Sequence, residues 1–237
     1  MTPIFDALAA ALDDRAPVAL ATIIDGAGAG AKLLVGPGRA PLGSLGDAIL
    51  DAAATAAALA RLDRAEPGIE TFGAHQVFIE TYPAPATLFI VGAVHIAIPL
   101  VTFAKTLGLR TVVIDARGTF ATPERFVHAD ELVHAWPDEA LDGRLTTTSA
   151  VVLLTHDPKL DDPALHVALP SQAMYIGALG SAKTHAARVE RLRAAGIPEP
   201  QIARLHAPIG LRIGAKSPEE IAVSIIAEIV AVRHRPR

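Results

Sequence analysis

The segment Thr87–Arg117 constrains the fold more than any other part of this sequence, because two apolar strands flank a helix within it. The β-branched and aromatic run Thr87–Val91 stops at Gly92, a pattern typical of a buried parallel strand. A helical pattern follows over Ile96–Leu107, and Thr111–Ile114 is apolar again. This order predicts a right-handed βαβ unit, and therefore an α/β fold with a Rossmann-like, doubly wound parallel sheet.

The turn after the first of these strands only partly matches a dinucleotide-binding fingerprint. That fingerprint, GxGxxG/A, needs glycines for the turn and for close approach of a pyrophosphate, and a small residue for helix packing. Gly92 and Ala97 meet the first and third requirements, but Val94 occupies the middle position. Asp115 follows at about the spacing of a ribose-binding acid, although it could equally cap a strand end. NAD(P) is therefore an alternative ligand that Val94 disfavours.

A proline- and alanine-rich break, Tyr82–Ala86, divides the sequence into two predicted domains. Residues 1–82 form a smaller α+β domain, and residues 87–237 form the Rossmann-like domain. The front domain is predicted to contain helices over 3–14 and Asp47–Leu62, and strands at Val18–Ile24, Lys32–Val35 and Val77–Thr81.

Further strands and two capped helices are predicted in the rear domain. Ser181 is a good N-cap for a helix that runs to Ala195, and Ser217 begins a capping box for a nearly all-apolar helix to Val232. That final helix is expected to be deeply buried or to form a subunit contact, which suggests a homodimer. Residues 156–169 indicate a loop and a short helix, and Arg188, Arg191 and Arg193 indicate a solvated basic face. The remaining strands are predicted at Leu132–Ala135, Ala150–Leu154 and Met174–Ile176.

Composition excludes several classes of function. Apolar residues make up 51% of the 237 residues, which is enough for a large core without metals or disulfides. The absence of cysteine excludes a thiolate metal site, a cysteine nucleophile and a protein persulfide. With a net charge of −4 and basic residues clustered only at Arg233–Arg237, nucleic acid is not expected as a partner. The acidic start shows no leader pattern, and Gly92, His95 and Pro99 interrupt the uncharged stretch 87–104, so a cytoplasmic, non-membrane protein is expected.

Four loops should meet at the carboxyl edge of the predicted parallel sheet, where ligands bind in open α/β folds. They are Gly92–His95, Asp115–Arg117, Thr155–Asp157 and Gly177–His185. The last of these leads into a helix N-terminus, where backbone N–H groups could bind a phosphate together with the side chains Ser181, Lys183 and Thr184. A turn-rich segment from His206 to Gly214 has no strand or helix period and suggests a further binding loop.

Two other kinds of site fit the sequence less well. The histidines on these loops form no paired HxxxH motif, so a metal site is not predicted. Ser181, His156 and Asp157 lack the GxSxG elbow of a hydrolase nucleophile. His156 and Asp157 are adjacent, which suits a pair that grips a ligand better than a catalytic relay.

Several unusual motifs follow one another along the sequence. In the rear domain they are Thr155–Pro163, Tyr175–Ser181 with Lys183–His185, His206–Leu211 with Ile213–Gly214, and Ser217–Ala222. Taken in order, these motifs resemble the XdhC/CoxI family of accessory proteins for molybdenum hydroxylases such as xanthine dehydrogenase and carbon monoxide dehydrogenase. In the front domain the segments Gly30–Val35 and Gly43–Gly46 through Asp51 resemble the family more loosely.

The resemblance implies a protein that binds molybdenum cofactor (molybdopterin), holds it while a sulfur ligand is installed, and delivers it to an apo-hydroxylase. Such a chaperone needs no substrate turnover, so enzymatic activity is not required. The implied partners are a molybdenum hydroxylase and a cysteine desulfurase or other sulfurtransferase. The candidate cofactor-binding residues are Gly92, Ala93, Val94, His95, Asp115, Arg117, His156, Asp157, Gly177, Gly180, Ser181, Lys183, Thr184, His185, His206 and Gly210.

The sequence departs from the family pattern in two places. The family's glycine turn commonly contains GAGH, whereas this chain has Val94 at the third position, which narrows that pocket. Family members often have a cysteine where this chain has Ile49, so any sulfur must come from another protein. Two alternatives therefore stay open beside the chaperone: an NAD(P)-binding oxidoreductase, and a degenerate family member that binds only a partner protein.

Overall fold

The fold is described from a computed structural model that covers residues 3–14 and 16–234. The chain divides into two compact units, with the boundary between Ala84 and Pro85, inside the proline- and alanine-rich break. The last three residues of the basic end predicted at Arg233–Arg237 lie outside the described residues.

The front unit is a five-stranded antiparallel sheet with one helix on each face. Its elements are α1 (Pro3–Asp13), β1 (Val18–Asp25), β2 (Lys32–Val35), β3 (Leu42–Ser44), α2 (Ala48–Arg64), β4 (Gly68–Phe72) and β5 (His75–Tyr82). The strand order is β3-β2-β1-β5-β4. Alternate residues of β1 point to opposite faces, so that Ala19, Ala21 and Ile23 pack with α2, and Val18 and Leu20 pack with α1.

The rear unit contains a six-stranded, wholly parallel sheet with helices on both faces. Its strands are β6 (Thr87–Val91), β7 (Arg110–Ile114), β8 (Glu131–Val133), β9 (Ser149–Leu153), β10 (Tyr175–Ala178) and β11 (Leu205–His206). Its helices are α3 (Ala97–Thr106), α4 (Pro137–Leu141), α5 (Pro158–Ala168), α6 (Ala182–Ala194), α7 (Glu199–Ile202) and α8 (Pro218–Arg233).

The strand order of this sheet, β8-β7-β6-β9-β10-β11, is that of the doubly wound Rossmann fold. The predicted fold class is therefore confirmed. The strand order reverses at the boundary between β6 and β9, because β7 and β8 extend the sheet to one side of β6 and β9 to β11 extend it to the other. This switch point is where such sheets bind ligands.

The parallel strands are apolar on both sides, as expected for a sheet that helices cover on both faces. One face packs residues such as Leu88, Ile90 and Val152 against α3 and α8. The opposite face packs Phe89, Val91 and Val151 against α4, α5 and α6. The residues of the strands thus pack into the two cores, and the polar residues that follow each strand lie at the carboxyl edge of the sheet.

Three local predictions were incomplete or wrong. The segment predicted as loop and short helix contains the eleven-residue α5, and the turn-rich segment from His206 begins with the last residue of the short strand β11. The solvated basic face on α6 was wrong for Arg188, which is only 1% exposed, whereas Arg191 and Arg193 do reach solvent. No helix in the described ranges combines the length and hydrophobicity that crossing a bilayer requires.

Candidate functional site

A cleft of about 410 Å³ lies at the carboxyl edge of the rear sheet, at the switch point between β6 and β9. Val94 from the turn after β6, Arg117 from the loop after β7 and the run Leu154–Pro158 after β9 line it. This volume falls within the range of small-ligand sites in proteins. Four predicted site residues, Val94, Arg117, His156 and Asp157, therefore share one cleft.

Gly92 allows the two central loops to approach closely enough to form this cleft. Its φ of +103° is a conformation that glycine adopts readily and other residues rarely do. A Cβ atom at this position would lie 2.5 Å from Cγ2 of Thr155. The turn after β6 and the loop after β9 are thus in direct contact, and a side chain at residue 92 would push them apart.

Asp115, the candidate ribose-binding acid, is buried, and its carboxylate accepts hydrogen bonds from Arg117 and Ala93. Its Oδ1 accepts hydrogen bonds from the backbone N and the Nε of Arg117, at 2.9 and 2.8 Å. Its Oδ2 accepts from the backbone N of Ala93 and from Nη2 of Arg117, at 2.9 and 2.8 Å. Burial alone would raise the pKa of this carboxyl, but these bonds outweigh it and lower the pKa below the ordinary value.

All four acceptor positions of the Asp115 carboxylate are occupied in this arrangement. A ribose hydroxyl would have to displace either Arg117 or the turn that contains Ala93. The carboxylate instead fixes Arg117, whose guanidinium also packs over the ring of Phe120 at 4.5 Å and remains 38% exposed. Arg117 therefore presents a fixed cation to the cleft.

His156 and Asp157 follow β9 and enter the cleft at the start of α5. Oδ1 of Asp157 accepts a hydrogen bond from the backbone N of Lys159 at 3.0 Å and caps α5, while His156 is exposed. The hydrogen bonds from Arg117 to Asp115, and in addition the nearby charge of Asp157, raise the pKa of the Arg117 guanidinium. The cleft thus combines a hydrogen-bond donor, Arg117, with an acceptor, Asp157.

The predicted phosphate-binding turn lies one strand further along the same edge, between β10 and α6. Gly180 has a φ of +143°, and Ser181 caps α6 by accepting a hydrogen bond from the backbone N of Thr184. Lys183 is exposed in the first turn of this helix. Nδ1 of His185 is buried without a hydrogen-bond partner, and burial, followed by the charge of Arg188, lowers the pKa of this histidine.

A buried ion pair connects this turn to the cleft. Nη2 of Arg188 donates to Oδ2 of Asp161 and to the carbonyl of Leu179, each at 3.0 Å, and Thr155 donates to Oδ1 of Asp161. Nε and Nη1 of Arg188 are buried and lack partners. Burial raises the pKa of Asp161 despite these hydrogen bonds. Sequence analysis missed the pair, although Arg188 lies four residues before the buried Leu192 on α6.

His206 and Gly210 are bound to α8 through Glu228, which sequence analysis also missed. Glu228 accepts hydrogen bonds from the Tyr175 hydroxyl at 2.6 Å and from the backbone N of Gly210 at 2.8 Å. Its other oxygen lies 3.1 Å from Nδ1 of His206, whose ring packs on Tyr175. Gly177 lies beneath the same cluster, and a Cβ there would meet the Tyr175 hydroxyl at 2.6 Å.

The candidate residues His156, Gly180 and His206 thus follow or end neighbouring strands at one edge of the sheet, in the order β9, β10 and β11. They differ in their surroundings, because His156 lines the cleft whereas His206 is bonded to Glu228. His95 is exposed and does not line the cleft. Within residues 3–14 and 16–234, no group of three or more His, Asp or Glu side chains is placed to hold a metal ion.

Comparison with known protein families agrees with this architecture. Residues 88–229 match the model of the XdhC Rossmann domain, and residues 11–73 match that of the XdhC and CoxI family. The chain belongs to the XdhC/CoxI family. The resemblance found in the sequence motifs is therefore confirmed over both units.

Among the curated relatives of this XdhC/CoxI chain is the uncharacterized protein YqeB of Escherichia coli, 30% identical over 98% of the chain and 46% of YqeB. A Bacillus subtilis protein, named as a probable xanthine dehydrogenase subunit, is 34% identical over 67% of the chain and 46% of the relative. The molybdenum cofactor insertion chaperone PaoD of Escherichia coli is 29% identical over 51% of the chain and 37% of PaoD. The chain thus spans less than half the length of these relatives.

A crystal structure described as a xanthine dehydrogenase from Bacillus halodurans has the same fold as this XdhC/CoxI chain. The two share 22% sequence identity, with a TM-score of 0.58 over 100% of this chain and 97% of the other. At this level of identity the likeness shows the fold alone.

Proposed function

We propose that this chain binds molybdenum cofactor and holds it for insertion into a molybdenum hydroxylase of the xanthine dehydrogenase type. The observation that carries the proposal is the cleft at the switch point, which combines Arg117, His156 and Asp157 with apolar walls. The names of two relatives, a cofactor insertion chaperone and a probable xanthine dehydrogenase subunit, supply the class of cargo and client.

The residues of the cleft fit the pterin part of such a cargo. A pterin ring has donors and acceptors on its edges and flat apolar faces. Asp157 and Arg117 supply an acceptor and a donor, and Val94, Leu154 and Pro158 supply apolar surface. His156 is exposed at the cleft and adds a ring nitrogen that donates or accepts, depending on its tautomer.

The turn before α6 fits the terminal phosphate of the same cargo. Backbone N–H groups in the first turn of a helix have no carbonyl partner within the helix and favour an anion. Here Lys183 adds an exposed positive charge in the first turn of α6. Since β9 and β10 are neighbours in the sheet, one ligand can lie across the cleft and this turn.

The role of the chain is binding and orientation rather than covalent chemistry. None of its 237 residues is cysteine, so it cannot form a persulfide of its own. If the cargo receives sulfur while bound, a separate sulfurtransferase must supply it. The open cleft leaves room for such a partner and for the client hydroxylase to reach the ligand.

Replacing His156 with alanine is expected to lower the amount of cofactor that the protein retains, because the variant loses one polar contact to the ring. The measurement is the fluorescence of oxidised pterin in protein purified from a host that produces molybdopterin. His166→Ala is the matched control, since His166 is an exposed histidine at the far end of α5. Well-folded parent protein without any pterin would contradict the proposed function.

Titration of the parent protein with NADH and NADPH is expected to show no binding at millimolar concentration.

Replacing Ser181 with aspartate is expected to reduce cofactor retention by about tenfold or more, because a carboxylate would repel a phosphate at the start of α6. Ser181→Asn is the matched control at the same position. Aspartate and asparagine both cap helices as well as serine does, so the two variants differ mainly in charge. Equal retention in both would place the phosphate elsewhere. The measurement is again oxidised pterin per mole of purified protein.

A further inference from the structure

Asp157 and Arg117, which line the cleft, each use only some of their polar side-chain atoms in hydrogen bonds to the protein. Oδ1 of Asp157 accepts from the backbone N of Lys159, and its Oδ2 has no hydrogen-bond partner among the described residues. Arg117 uses Nε and Nη2 to bind Asp115, so its Nη1 has no acceptor in the described part of the chain. The hydrogen bonds to Oδ1 of Asp157 and from Nε and Nη2 of Arg117 hold the two side chains in place. Oδ2 of Asp157 and Nη1 of Arg117 remain available to a ligand in the cleft that both residues line.

The free groups define a pattern of donors and acceptors that a ligand must complement. A carboxylate has about four lone-pair positions, so Asp157 can accept two parallel N–H groups besides the capping bond. Nη1 of Arg117 carries two N–H donors, which suit a carbonyl oxygen. The complementary edge therefore has two adjacent N–H groups followed by a carbonyl oxygen. The 2-amino-4-oxopyrimidine ring of pterins has this edge, and guanine presents it as well.

We propose that Asp157 and Arg117 select ligands by this 2-amino-4-oxopyrimidine edge, with Asp157 reading the amino and ring N–H groups and Arg117 the carbonyl oxygen. The inference rests on the proposed function for the location of the ring, and adds which ring edge is read and by which residues. Adenine lacks the paired donors and the carbonyl oxygen, and it would set its ring acceptor against the carboxylate of Asp157. The cleft should therefore bind pterins and guanine nucleotides and reject adenine nucleotides.

The specificity is tested on the unmodified protein with three probes, pterin-6-carboxylate, GMP and AMP. We expect pterin-6-carboxylate to bind, as followed by its own fluorescence, GMP to displace it, and AMP to fail at tenfold higher concentration. Displacement by GMP but not AMP identifies the shared ring edge, because the two nucleotides carry the same phosphate. Displacement by both to the same extent would overturn the inference and indicate that the phosphate alone is bound.

Asp157→Asn tests the residue that reads the ring. Asparagine caps a helix as well as aspartate does, so α5 should remain intact while one acceptor becomes a donor. Affinity for pterin-6-carboxylate is expected to fall by about tenfold or more, because hydrogen bonds to a charged group are lost. The matched control is Asp47→Asn, since Asp47 caps α2 in the front unit by accepting from the backbone N of Ile49 and Leu50. Equal affinity in Asp157→Asn and the parent would overturn the role of Asp157.

The two proposals fail in different ways. Pterin that copurifies with the protein, together with no discrimination between GMP and AMP, would leave the chaperone role and remove the ring selectivity. Selective binding of pterin-6-carboxylate and GMP, with no cofactor acquired in a producing host, would retain the selectivity and remove the chaperone role. The thermal unfolding midpoint of each variant shows whether the cleft is still folded.

Discussion

Replacing Glu228 with glutamine is expected to lower the free energy of unfolding of the rear unit by about 2–4 kcal/mol at neutral pH, because charged hydrogen bonds are lost in a half-buried site. Glu228 accepts from the Tyr175 hydroxyl and the Gly210 amide, and it pairs with His206. A glutamine would offer the Tyr175 hydroxyl and the Gly210 amide an uncharged acceptor oxygen, and it would place its NH₂ group against Nδ1 of His206. The segment after β11 would then be attached to α8 by weaker, uncharged hydrogen bonds.

The single tryptophan, Trp136, lies in the rear unit, so its fluorescence during urea unfolding reports on the part of the molecule that contains Glu228. Glu190→Gln is the control, because the exposed pair of Glu190 with Arg193 on the surface of α6 should contribute little. Coincident unfolding curves for the parent and Glu228→Gln would show that the cluster does not hold the segment.

The pH dependence of the Glu228 effect has a definite sign. Burial opposes ionisation of Glu228, but the hydrogen bonds from Tyr175 and Gly210 and the contact with His206 lower its pKa below the ordinary 4.5. The stabilisation is complete above 4.5, and it is lost as the pH falls through the lower, folded-state pKa, because the unfolded chain binds the proton first. The difference between parent and Glu228→Gln should therefore shrink as the pH is lowered below 4.5.

Replacing Gly92 with alanine is expected to destabilise the rear unit by about 2–4 kcal/mol and to distort the cleft. The φ of +103° is unfavourable for alanine, and the new methyl group would lie 2.5 Å from Thr155. Either the turn after β6 or the loop after β9 must move, and both carry residues that line the cleft. Cofactor retention should fall together with stability.

Gly108→Ala separates the two causes of the Gly92 effect. Gly108 also has a positive φ, +73°, but a Cβ there would have no atom within 4 Å. Gly108→Ala should lower the free energy of unfolding by about 1–2 kcal/mol, the cost of a positive φ for a residue with a Cβ atom. Cofactor retention should remain unchanged. Urea unfolding followed through Trp136 measures both variants. Equal losses of stability and equal retention would show that the contact between Gly92 and Thr155 is unimportant.

The features that were predictable from the sequence depend on neighbouring residues. The βαβ unit follows from the apolar runs around Gly92, and the Ser181 and Ser217 caps follow from residues within one helical turn. The loops of the cleft were predictable because parallel strands place their carboxyl ends at one edge. Such signals locate the candidate site without any tertiary information.

The features that were missed depend on partners far apart in the sequence. Glu228 meets Tyr175 across 53 residues, and Arg188 meets Asp161 across 27. A charged residue on a helix usually faces water, so the residue type argued against burial of Arg188, although Arg188 lies four residues before the buried Leu192. The saturation of Asp115 was also hidden, because spacing places an acid near a ribose site but does not show that Arg117 and Ala93 already occupy its oxygens.

The bonds of Asp115 determine how substitutions at Arg117 should be interpreted. Removing the guanidinium would delete a group of the cleft. It would also leave the buried carboxylate of Asp115, which accepts a hydrogen bond from the backbone N of Ala93, without its counter-charge. Weakened ligand uptake in an alanine variant would then mix two causes that cannot be separated afterwards. Lysine at this position retains a counter-charge for Asp115 while removing the forked geometry, which makes it the informative exchange.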